Sequence, residues 1–172
     1  MCIRDSTIYG NAPTLALAQR VLAAFELEEY QAAVRWEAVV GGQEIALQGA
    51  GFRLFTADTV HSRPCLALRF EEPDAGRAIV YSADTEPCDA VRELARGAAV
   101  LIHEATTPEP FPGHTTPRQA GEVAAAAGAS ELVLVHFSPR WTMSAAQAID
   151  EVRAGGFGGE ATIGREFGSY SL

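Results

Sequence analysis

Short apolar runs that each give way to a histidine or an aspartate constrain this chain more than any other feature. Ala78–Tyr81 leads into Ser82-Ala83-Asp84-Thr85. Residues 98–102 lead into His103-Glu104, residues 132–135 into His136, and residues 52–60 into His61. The 98–102 run is continuously apolar, as expected of a strand covered on both faces. Ligand sites in open α/β sheets gather beyond the carboxyl ends of strands. Asp84, His103, His136 and His61 are therefore expected on one polar floor.

The rest of the pattern predicts the frame. Residues 7–9 form a short strand, and Gly10-Asn11-Ala12-Pro13 turns the chain. Thr14 caps a helix over 15–28, with Leu17, Val21, Ala24, Phe25 and Glu28 on a mostly apolar face. Strands come next at 34–40, at 44–47, at 52–59, at 64–70 and at 77–81, the second and third pairing through Gly49 and Gly51. A helix over 87–96 stops at Gly97. Thr116 caps another over 117–127, with Pro117 in its first turn and Gly128 as its stop. A helix over 144–153 and a strand at 161–163 complete the chain. Strand clusters and then strand–helix alternation predict α/β layers.

Charge and cysteines narrow the function. The net charge of −9 disfavours a broad nucleic-acid surface, which needs clustered Lys and Arg. Arg118 and Arg140 remain as local basic spots. Cys2, Cys65 and Cys88 form neither a CxxC pair nor a disulfide framework, so a reducing cytoplasm is expected. No apolar run approaches the length of a membrane span.

Four segments carry a family resemblance: His61 after its apolar run, Ser82-Ala83-Asp84-Thr85, Gly113-His114-Thr115-Thr116, and His136-Phe137-Ser138-Pro139-Arg140. In this order they resemble the C-terminal half of a metallo-β-lactamase-fold hydrolase, in the ribonuclease Z and arylsulfatase-like branch. Gly-His-Thr-Thr is similar to the Gly-His-Ser-Thr of ribonuclease Z, and His-Glu-Ala-Thr is also familiar from this branch. The resemblance runs from Thr7 onward and implies an αββα sandwich truncated at its N-terminus. The family's His-x-His-x-Asp-His signature has no counterpart here. Residues 1–6 are read as a non-native leader and 7–172 as the C-terminal part of one domain.

The resemblance implies that His61, Asp84 and His136 are metal ligands, with Asp84 bridging two zinc ions; manganese or another divalent metal could replace zinc. Imidazole nitrogen and carboxylate oxygen suit such ions. It also makes His114 an acid–base or phosphate-binding residue, while Glu104 could hold His114 or a ligand histidine in its tautomer. A guanidinium at Arg140 could grip an anionic oxygen. Asp84 alone could equally be a turn residue, His114 a loop histidine, and Arg140 a surface arginine. His103 is expected to satisfy a local hydrogen bond. Trp36 and Trp141 are read as packing, and Cys65 and Cys88 as small hydrophobes.

In tRNA-processing ribonuclease Z, a substrate-gripping arm is inserted between the third-motif histidine and the bridging aspartate. Only two strands and a turn are predicted between His61 and Asp84. The expected substrate is therefore a small anionic ester, a phosphodiester before an aryl sulfate. RNA is disfavoured, and a tRNA 3′ endonuclease is the alternative. A homodimer is compatible with this branch. A different class of reading is a non-catalytic fragment with an incomplete metal site.

Overall fold

The computed structural model describes residues 6–27, 34–47 and 51–170. Strand β1 (Ser6–Gly10) pairs in parallel with β2 (Val34–Ala38), and helix α1 (Ala12–Ala24) connects them. Ser6, assigned above to the leader, opens β1 opposite Val34. A separate sheet has seven strands in chain order: β3 (Glu44–Ile45), β4 (Arg53–Asp58), β5 (Leu66–Glu71), β6 (Ala78–Tyr81), β7 (Val100–Glu104), β8 (Glu131–Val135) and β9 (Glu160–Ile163). Pairing is antiparallel from β3 to β6 and parallel from β6 to β9. Consequently β4, β6, β7 and β8 run in one direction, and their carboxyl ends share one rim.

Helices α2 (Asp89–Leu94), α3 (Pro117–Ala127) and α4 (Ala145–Ala154) accompany the parallel half. Both α3 and α4 start with a capping box, Thr116 with Gln119 and Ser144 with Gln147. Such reciprocal bonds satisfy donors that a helix start otherwise leaves unpaired. The core joins Leu101, Leu132 and Leu134 of the sheet to Ala120, Val123, Ala124, Ala148 and Val152 of the helices. Small residues let α3 and α4 approach closely. A Cβ on Gly121 would lie 2.3 Å from the Val152 carbonyl oxygen, so any side chain there must push the helices apart.

Two expectations about α1 are corrected. Its cap is Asn11, not Thr14: the Asn11 side chain accepts from the Thr14 backbone N–H at 2.9 Å, and the helix begins at Ala12. Asn is a stronger N-cap than Thr, and Pro13 tolerates a first turn because its missing donor would have no partner there. Leu17, Val21 and Phe25, read above as part of a mostly apolar face, do not pack inward and are exposed at 52%, 47% and 73%. Leu15 is the buried residue of this helix. Glu28 and the glycine pairing at Gly49 lie outside the described residues. No helix among the described residues is long and apolar enough to cross a membrane.

Strand β7 runs through His103 and Glu104 rather than ending before them. Side chains alternate along a strand, so these neighbours face opposite sides. Fully buried, His103 donates from Nδ1 to the Glu104 carbonyl oxygen at 2.8 Å, while its Nε2 has no partner among the described residues. Burial holds its pKa below the ordinary 6.5. The unfolded chain therefore takes up a proton that the folded chain refuses as pH falls below 6.5. Stability should be insensitive to this residue above that pH and fall below it, by up to about 1.4 kcal/mol per pH unit. Urea unfolding of the metal-free chain from about pH 7 to about pH 5 tests this. His103→Leu should flatten the curve, and equal slopes in both proteins would contradict the assignment.

Candidate active site

Of the residues expected at the site, five meet at the shared rim; His103, also expected on that floor, is fully buried within β7 and faces the other side of the sheet. His61 lies just beyond β4, Asp84 beyond β6, Glu104 at the end of β7 and His136 directly after β8. His114 enters from the loop before α3. Its ring centroid lies 4.9 Å from that of His61 and 5.8 Å from that of His136. Arg140 is exposed, and among the described residues its guanidinium pairs with no side chain; its backbone N–H donates to Ser138 Oγ at 3.1 Å.

Asp84 stands between two histidines. Its Oδ2 is 4.0 Å from His61 Nε2, and its Oδ1 is 3.6 Å from His136 Nδ1. Both separations exceed a hydrogen bond. Two ligand atoms about 2.1 Å from one tetrahedral zinc ion stand roughly 3.4 Å apart. The donor types suit a divalent cation, zinc included, and the 4.0 Å His61–Asp84 separation is wider than that value. Backbone strain accompanies the arrangement: Ala83, immediately before Asp84, has φ 51°, and His136 has φ 61°. Left-handed conformations in non-glycine residues persist where surrounding contacts over-determine them, and they cluster at functional sites.

The contacts that hold the histidines are specific. His61 Nδ1 donates to the Gly113 carbonyl oxygen at 2.8 Å. Gly113 has φ 83°, and a Cβ there would sit 3.1 Å from that same nitrogen, so glycine is needed for both reasons. The Gly113 N–H in turn donates to Glu86 Oε1 at 2.7 Å. The hydroxyl of Thr115 donates to the Thr85 carbonyl oxygen at 2.6 Å, and the Ser138 N–H to the Thr106 carbonyl oxygen at 2.9 Å. These bonds tie the site loops to one another.

Glu104 is the hub. Its side chain is 1% exposed. Oε1 accepts from the Thr85 N–H and from His114 Nδ1, both at 2.9 Å. Oε2 accepts from the Thr106 N–H at 3.0 Å, the Thr106 hydroxyl at 2.5 Å and the Thr115 N–H at 3.2 Å. Burial acts to raise its pKa, but the bonds from Thr106, Thr85, His114 and Thr115 outweigh it and hold the carboxyl below its ordinary range.

A second grouping is conceivable, because Glu104, His114 and His136 each bring a ligand atom within 4.8 Å of the others. Both oxygens of Glu104 are already engaged by five donors, so a cation there would have to strip buried bonds. His61, Asp84 and His136 form the better candidate ligand set. Sequence reasoning assigned no role to Thr85 or Thr106, although both stand inside the segments it quoted. A buried acceptor such as Glu104 draws on whichever donors the loops bring, and no spacing rule shows that in advance. The donors at the start of α3 are largely occupied. Thr115 N–H serves Glu104, while Thr116 and Gln119 satisfy each other.

Around the site, burial and then the Asp84 carboxylate push the Cys65 thiol pKa upward. A cleft of about 450 Å³ opens beside His61, lined by Asn11, Val40, Pro64 and Cys65 among others. Another of about 800 Å³ lies along β9, against Ile149, Ile163 and Tyr170, and includes none of the histidines.

Imidazoles and carboxylates thus gather on the rim of a mixed sheet, with helices behind it. The sequence makes the family specific: residues 1–137 match the family model described as the beta-lactamase superfamily domain, and the chain belongs to that family. It is 51% identical over 76 residues to the ribonuclease Z of Brevibacillus brevis, covering 41% of this chain and 24% of that protein. It is 39% identical over 97 residues to the ribonuclease Z of Haloarcula marismortui, covering 53% and 31%. The matched stretches thus span less than a third of either relative. Among solved structures, the metallo-beta-lactamase fold protein YhfI of Bacillus subtilis superposes with a TM-score of 0.77 at 23% identity, over 95% of this chain and 64% of that one. The short form of human tRNase Z superposes with a TM-score of 0.68 at 22% identity, over 98% and 68%. The fold is therefore the α/β metallo-β-lactamase fold.

Proposed function

We propose that this chain carries part of the active site of a metal-dependent hydrolase that cleaves a phosphodiester or another small anionic ester. The observation that supports it most is Asp84, whose carboxylate stands between the rings of His61 and His136, with Oδ2 toward His61 Nε2. These three residues would hold the ions, zinc by donor type, with Asp84 shared between them. Divalent ions in such a site polarise a phosphoryl oxygen and lower the pKa of bound water. His114 acts on the leaving group. Its Nδ1 proton is committed to Glu104, so Nε2 carries the exchangeable proton, and the Glu104 carboxylate stabilises the imidazolium.

Three protein ligands are too few for two catalytic ions, because catalytic zinc usually takes three each. The others would come from a segment bearing His-x-His-x-Asp-His. The 172 residues alone should then retain less than one tightly held metal per chain after dialysis. With that segment joined to them, bis(p-nitrophenyl) phosphate should be hydrolysed in a chelator-sensitive way. No turnover by the joined protein would sink the proposal. Zinc-dependent turnover by the 172 residues alone would overturn the incomplete-site reading.

In the joined protein, His114→Ala should lower kcat about 10²–10⁴-fold and leave the metal content unchanged. Loss of one metal equivalent would make His114 a ligand instead.

The ribonuclease Z relatives favour a second reading, cleavage of tRNA precursors at the 3′ side. Against it, the His61–Asp84 interval holds only β5, β6 and their connections, and the net charge is −9. Efficient pre-tRNA processing at physiological salt would promote this reading over the small ester.

A further inference from the structure

Thr106 joins the buried carboxylate to the outermost histidine. Its hydroxyl lies 2.5 Å from Glu104 Oε2 and 2.7 Å from His136 Nδ1. A carboxylate has no proton to give, so the single hydroxyl proton must point at Glu104. The Thr106 oxygen can then only accept from His136. The proton of a neutral His136 ring must therefore sit on Nδ1, leaving the lone pair on Nε2. The backbone reinforces the position. Thr106 N–H donates to the same Glu104 oxygen at 3.0 Å, and Thr106 C=O accepts from Ser138 N–H, two residues beyond His136.

The same proton count applies to the other two rings. His114 donates from Nδ1 straight to Glu104, and His61 donates from Nδ1 to the Gly113 carbonyl. All three rings thus leave Nε2 free. Only His136 reaches its anchor through a hydroxyl, and its side chain is the most exposed of the three at 47%. Without that hydroxyl, nothing described on the Nδ1 side of His136 except Asp84 Oδ1, at 3.6 Å, would select its tautomer.

We infer that Thr106 is a positioning residue: it relays the Glu104 charge to His136 and holds that ring as the Nδ1–H tautomer with Nε2 bare for a divalent cation. The inference rests on the proposed role of His136 as a ligand. Hydrogen-bond partners behind a ligand histidine orient it and raise its basicity, and removing one typically weakens metal binding about 10–100-fold.

The test uses the 172-residue chain, metal-free and ¹⁵N-labelled, with the His136 ring signals identified by their absence in His136→Gln. Long-range ¹H–¹⁵N spectra report which ring nitrogen carries the proton, and zinc titration reports affinity. Wild type and Thr106→Ser should show His136 protonated on Nδ1. Thr106→Val should shift its population toward Nε2–H and weaken zinc binding about 10–100-fold, while His114 keeps its Nδ1–H signature. Thr106→Ala repeats the comparison should the valine variant fold poorly. An unchanged His136 tautomer in the variants lacking the hydroxyl overturns the relay. A shifted tautomer with unchanged zinc affinity overturns instead the assignment of His136 as a ligand.

Discussion

Replacing Glu104 with alanine should leave the chain unable to fold stably. The carboxylate serves three backbone N–H groups, those of Thr85, Thr106 and Thr115, besides the Thr106 hydroxyl and His114. Each buried donor deprived of its acceptor costs about 1–3 kcal/mol. Three backbone donors together approach the roughly 5–15 kcal/mol that stabilises a whole domain. Glu104→Gln is the sharper variant, because it keeps the volume. It turns one acceptor oxygen into an NH₂ group facing donors, and a loss of about 2–4 kcal/mol in urea unfolding is expected. Since the Glu104 pKa is depressed in the folded chain, the stabilisation is present above the unfolded carboxyl pKa. It is lost as pH falls through the lower folded value. Wild-type stability in Glu104→Gln would show that the carboxylate is not the anchor of the site.

Asp84→Ala should do the opposite, sparing the fold and removing the function. The Asp84 side chain is 28% exposed, makes no side-chain hydrogen bond among the described residues, and stands 4.0 and 3.6 Å from His61 and His136. With no close hydrogen bond to lose, stability should change by no more than about 0.5 kcal/mol. Cobalt titration of the 172-residue chain should detect much weaker binding. In the protein joined to the signature-bearing segment, the carboxylate proposed to be shared by both ions disappears, and hydrolysis should fall at least about 10³-fold. Asp84→Asn should keep the fold, with one oxygen still available. Undiminished turnover by Asp84→Ala at saturating zinc would remove Asp84 from the metal site.

Helix α1 carries an apolar stripe on its outer face. Leu17 and Val21, with Phe25 at the C-cap just beyond the helix, recur at every fourth position and are exposed among the described residues. Their periodicity is that of a buried helix face.

Much of the frame could be read before any coordinates. Periodicity and turn chemistry are local, so α3 lies where Thr116, Pro117 and Gly128 place it, and the apolar runs at β6, β7 and β8 are strands. Placing His61, Asp84 and His136 together also rests on local signals, because strands that run in one direction deliver the residues at their carboxyl ends to one rim. Other matters depended on contacts between segments far apart in the chain. Asn11 displaced Thr14 as a cap, and α1 turned Leu15 inward, although the helical period allowed either face. The register of β7 sent Glu104 to the site and His103 away from it; a shift of one residue would have exchanged them. Neither residue type nor spacing could show that Thr85, Thr106, Thr115 and His114 all donate to one carboxylate. A buried charge takes its partners from whatever the fold brings within 3.5 Å, roughly the limit of a hydrogen bond, and only the tertiary structure sets those distances.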